Sequence, residues 1–143
     1  VIKNNSNFVI GVNMEGVNYP LVKFNDQEFQ FKKAGNLGTA CTVFNKSLLD
    51  KIGYFITEWG LYSCDDSDAF FRARIAGYQM GYLKENGNHL GQGEFDKGEY
   101  RQFKDEQHAK ISVLFRKRCV EYMQGKRSIY IDFEEKWVFQ ENI

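Results

Sequence analysis

Three carboxylates, Asp65, Asp66 and Asp68, fall within four residues directly ahead of an apolar stretch with helical spacing. Like charges this close repel one another, so the arrangement is tolerable only where water, a helix terminus or cations offset it. That fixes one element firmly. A helix is predicted over about Asp66 to Ala76, with Phe70, Phe71 and Ile75 on its apolar face, Arg72 and Arg74 largely off it, and Gly77 as its stop. Capping and dipole complementation need one or two acids rather than three. The surplus leaves open a hard-cation site or a general base at a loop-to-helix junction.

The rest of the chain surrounds this helix with strands. Phe8 to Val12 is a short β-branched run, and Phe24, Phe29 and Phe31 predict a short edge strand. Gly38 to Phe44 reads as a buried strand. Ser47 is expected to cap a short helix ending at Ile52, with Gly53 in the left-handed conformation. Tyr78 to Leu83 alternates as a strand does, and a Gly-rich polar loop runs from Glu85 to Gly98. About Glu99 to Gln124 has helical apolar spacing, and Ile129 to Phe133 is strand-like.

The 143 residues suit one core, and 16% aromatic content excludes low-complexity disorder. Nineteen basic residues balance nineteen acidic ones, which argues against a dedicated nucleic-acid binder. Cys41, Cys64 and Cys119 contain no CxxC pair and are expected to be reduced, small and mostly buried, as in a cytoplasm. His108 reads as a structural or surface residue. Arg116, Lys117 and Arg118 read as a solvated helix face, at most a weak contact for an anionic membrane or partner.

Taken in order, these pieces resemble the second half of the catalytic domain of family-2 glycosyltransferases of the GT-A fold. The resemblance rests on Gly38-Thr39-Ala40, then Leu48-Leu49-Asp50-Lys51-Ile52-Gly53-Tyr54-Phe55, then Trp59-Gly60. Asp65-Asp66-Ser67-Asp68 follows with Arg72, then Gly77-Tyr78 and His89, covering about Gly35 to His89. It implies an α/β fold: the C-terminal part of a GT-A-like mixed sheet with flanking helices, plus a C-terminal helical extension. Residues 1–98 would form the acceptor-side part of the transferase domain, and 99–143 the helical extension with a terminal strand-like segment.

By that resemblance Asp66 is the catalytic base of an inverting sugar transfer from a nucleotide-sugar to an acceptor hydroxyl, with surface polysaccharide synthesis as the expected setting. Asp65 (Glu in the family's pattern), Gly38, Thr39 and Trp59 would contact substrate. His89 would reach a divalent metal, and Asp68 and Arg72 would support the helix mouth. The family's nucleotide-binding half carries an Asp-x-Asp that holds Mn or Mg, and nothing upstream of Gly35 supplies it. The chain is therefore expected to be the C-terminal portion of a larger transferase, inactive alone.

The expected partners are a nucleotide-sugar donor and a glycan or lipid-linked acceptor, with no nucleic acid. A cytoplasmic place at the inner face of the membrane, a peripheral membrane contact and a homo-oligomer are compatible with the resemblance. The alternative is a non-catalytic carbohydrate-binding or interaction module on the same scaffold. A third reading is a metal-dependent hydrolase, which requires Asp65, Asp66, Asp68 and His89 to converge.

Overall fold

A computed structural model describes residues 7–24, 26–37, 40–60, 63–88 and 97–131. They form a mixed α/β structure with a five-stranded sheet. The strands are β1 (Phe8–Asn13), β2 (Leu21–Phe24), β3 (Gln27–Phe31), β4 (Thr42–Val43) and β5 (Gln79–Asn86). The helices are α1 (Lys46–Ile52), α2 (Asp65–Ile75) and α3 (Gly98–Met123), with a 3₁₀ turn at Thr57–Trp59. The sheet order is β2-β3-β5-β1-β4. Only β1 and β5 run parallel, in the register Val9↔Met80 and Ile10↔Gly81; every other pairing is antiparallel.

Alternation along the strands gives the sheet two apolar faces. On one, Val9, Met80 and Tyr82 pack with Leu48 and Ile52 of α1 and with Phe70 and Ala73 of α2. On the other, Phe8, Ile10 and Phe29 form a smaller cluster. Gly81 is required by the close approach of β3: a Cβ there would stand 2.8 Å from the carbonyl oxygen of Gln30.

Several elements differ from the sequence-based expectation. The expected edge strand is a hairpin, and β3 sits inside the sheet, between β2 and β5. Its turn passes through Asp26 at φ 63, a left-handed position that Asp tolerates. Of the buried strand expected over Gly38 to Phe44, only Thr42 and Val43 are in a strand among the described residues, at the sheet edge and with Val43 50% exposed. Asn45, not Ser47, caps α1, accepting from the Ser47 amide. Gly53 has the expected positive φ, but with ψ 173 its backbone is extended rather than helical. Ile129 to Ile131 form no strand, and Asp132 and Phe133 lie outside the described residues.

Arg72 and Ile75 reverse their expected places on α2. Ile75 is 41% exposed, whereas Arg72 is fully buried. Its Nε donates to Asp68 Oδ2 at 2.8 Å, and its two terminal nitrogens donate to the carbonyls of Ile52 and Tyr54. The guanidinium thus satisfies carbonyls that the end of α1 leaves without intrahelical donors. Asp68 is fully buried too, and its Oδ1 accepts from Tyr122 of α3 at 2.9 Å. One ion pair joins all three helices.

Candidate active site

α2 reverses into β5 through Ala76–Tyr78, so the first turn of the helix and the carboxyl end of β5 lie at the same end of the sheet. The parallel strand β1 also ends there, at Asn13. The carboxyl ends of parallel strands are where open α/β sheets bind ligands. Asn13 and Gln30 are buried at this end and joined by a 2.8 Å hydrogen bond, and Gln30 in turn donates to Asn86 at 2.7 Å. Beside them Glu15 receives hydrogen bonds from Lys32, Tyr19 and Tyr82. Burial alone would raise the Glu15 carboxyl, but these three donors outweigh it and hold the group below its ordinary value.

The backbone leading into α2 is strained. Ser63 has φ 104 and Cys64 φ 63, two successive non-glycine residues in a region that L side chains rarely enter. Such conformations cost about 1–3 kcal/mol each and persist only where their surroundings impose them. At this turn Ser63 Oγ lies 2.9 Å from His108 Nδ1 of α3 and 3.2 Å from Cys64 Sγ. His108, expected to be structural or at the surface, is half of this contact. Cys64 caps the helix with no side-chain bond, which leaves the first turn to the acids themselves.

The three carboxylates part company at this turn. Asp65 is exposed. Asp68 points inward, with both oxygens committed to Arg72 and Tyr122. Asp66 is half-buried between these extremes; its Oδ1 accepts from the amide of Ser67 at 2.6 Å and from Ser67 Oγ at 3.2 Å. Oδ2 has no partner from another described residue. Burial pushes the Asp66 carboxyl above the usual carboxylate value, with Asp65 adding to the rise, and the Ser67 bonds oppose it only in part.

Ser67 also receives a hydrogen bond from Asn36 Nδ2 at 2.8 Å. Asn36 belongs to a strap between β3 and β4 that Arg74 fastens to α2. The guanidinium donates to the carbonyls of Lys33 at 2.9 Å and of Gly35 at 2.7 Å. A cleft of about 440 Å³ lies against this strap, lined among others by Asn36, Ser67, Phe71 and Phe115. Asn36 and Ser67 were missed by the sequence reading. The signal available was their adjacency to Gly35, whose φ is 77, and to the acid cluster.

Of the sequence-expected site residues, Gly38, Thr39 and His89 lie outside the described residues. Trp59, expected to offer a face to a sugar, is 1% exposed. The Arg118 guanidinium stacks 4.4 Å above its ring and Phe115 meets it edge-on, so α3 covers the ring. Arg118 is therefore buried, not part of a solvated basic face, and it also donates to Glu58 at 2.7 Å. Among the described cysteines Cys41 is exposed, Cys64 buried and Cys119 half-buried, and none is bonded to another.

The metal implied by the resemblance finds no holder among the described residues, where no three His, Cys, Asp or Glu side chains converge. Asp68 is spent on Arg72 and Tyr122, which takes it out of the four-residue set that a metal-dependent hydrolase needs. No helix among the described residues is long and apolar enough to cross a membrane. Comparison with family models, curated proteins and solved structures returns no match.

Proposed function

We propose that this chain is the acceptor side of an inverting glycosyltransferase and that Asp66 is its base. The observation that carries the reading is the division of labour at the mouth of α2. One acid is locked into the core, one is exposed, and Asp66 is half-buried: its Oδ1 is held by Ser67, which Asn36 holds in turn, and its Oδ2 has no partner from another described residue. An acceptor hydroxyl within hydrogen-bond reach of Oδ2 would give up its proton there while its oxygen attacks the anomeric carbon. The bond from that carbon to the nucleotide diphosphate breaks, and the diphosphate leaves with the electron pair. A raised carboxyl pKa suits this task, because proton affinity improves as the base moves toward the working pH.

In this reading the exposed Asp65 would receive acceptor hydroxyls, and the cleft lined by Asn36 and Ser67 would take the acceptor body. The alternative is a sugar-binding module without catalysis, to which the buried Trp59 offers no open ring face. The test is to incubate the full gene product with a panel of nucleotide-sugars and candidate glycan or lipid-linked acceptors. The expected result is transfer with inversion at the anomeric carbon. Retention, or glycan binding without any transfer, would overturn the proposal.

A further inference from the structure

α3 turns Phe115, Arg118 and Tyr122 toward the rest of the molecule, and its opposite side in the last turns is bare. Val113 is 66% exposed, Val120 45% and Met123 66%. Lys110, Arg116 and Lys117 are exposed on the same helix, and Lys126 and Arg127 follow just past its end. The only acid in this stretch is Glu121, which is half-buried and pairs with Arg127 at 3.2 Å and Lys117 at 3.9 Å. Glu106, one turn before the patch, is engaged by Gln102 at 2.9 Å.

The geometry points to an anionic lipid surface as the partner of this face. Helical spacing places Val113, Lys117, Val120 and Gln124 within about 40° of one line along the helix, with Arg116 and Met123 on one flank and Lys110 on the other. Apolar side chains framed by long cationic ones are the pattern of a helix lying in a membrane interface, where stems embed and charged heads meet phosphates. The chain as a whole is formally neutral, so no general cationic attraction accounts for binding; the charge must be segregated locally, as it is here. A second copy of this chain would bring the same cations face to face, which disfavours self-association through this patch.

The test is co-sedimentation of the chain with vesicles of phosphatidylcholine alone and of equal parts phosphatidylcholine and phosphatidylglycerol. Binding is expected to the second only and to weaken as salt rises. Each basic side chain near an anionic surface contributes about fivefold in partitioning, so Arg116→Gln with Lys117→Gln is expected to lower it about 25-fold. Val113→Ser with Met123→Ser is expected to lower it as well. All four positions are exposed, so their thermal unfolding should be close to that of the parent chain. Equal binding to both vesicles, binding to neither, or full binding by the charge variant would overturn the proposal. So would a dimer in solution that Val113→Asp dissociates, which would give the face to a second copy.

Discussion

Replacing Arg72 by methionine removes the only cation from a fully buried pair and leaves Asp68 with the Tyr122 hydroxyl alone. The same change strips donors from the carbonyls of Ile52 and Tyr54. Breaking a buried pair from one side costs about 3–5 kcal/mol, because the remaining charge is neither solvated nor compensated. A domain of this size has only about 5–15 kcal/mol in all. At about 4 °C per kcal/mol, the melting temperature should fall by roughly 12–20 °C. Asp68→Leu should cost a similar amount by stranding Arg72. The double variant, which exchanges the pair for apolar groups of similar volume, should recover much of the loss, with a coupling energy of about 2 kcal/mol or more. Urea unfolding of the four proteins measures the cycle. Single variants that each cost under about 1 kcal/mol, or two losses that simply add, would refute the reasoning.

Asp66→Asn should stabilise the fold at neutral pH, because a carboxyl whose folded pKa lies above its unfolded value loses stability as pH rises through that interval. The gain should shrink as the pH of urea unfolding is lowered toward the ordinary carboxylate value; an Asn variant less stable than the parent at pH 7 would count against the burial argument. Gly81→Ala should cost about 1–3 kcal/mol, since a Cβ would stand 2.8 Å from the Gln30 carbonyl oxygen and that backbone can make room only by parting β3 from β5. Trp59→Ala should cost about 3–5 kcal/mol and loosen α3, seen as lost near-ultraviolet dichroism. If Trp59 were instead a sugar platform, its loss would leave stability within about 0.5 kcal/mol.

Local signals carried the sequence reading where chemistry was local. The acids and Gly77 bracket α2 to within a residue, because a helix dipole and a left-handed stop act over one turn. The β2–β3 hairpin was also legible in principle, since Asn-Asp is a turn-favouring dipeptide, but Phe24, Phe29 and Phe31 drew the stretch together as one strand. Arg72 and Arg118 were not legible. A guanidinium on a helix reads as a solvated face, and only the arrival of α1, or of the 3₁₀ turn at Trp59, makes it a buried donor. For the same reason the three acids read as one cluster. Their separation into a core partner, an exposed group and a half-buried base depends on Tyr122, 54 residues away, and on Asn36. The partner of Ser63 at the strained turn, His108, also belongs to a distant helix.

The transfer rate of the full gene product carrying Asp66→Asn tests the central claim most directly. Asparagine keeps the shape and can still accept from Ser67, but it cannot take a proton. The account predicts a turnover loss of about 10²–10⁴-fold with the melting temperature preserved or raised, and a far smaller loss for Asp65→Asn. Turnover within a few fold of the parent would contradict it.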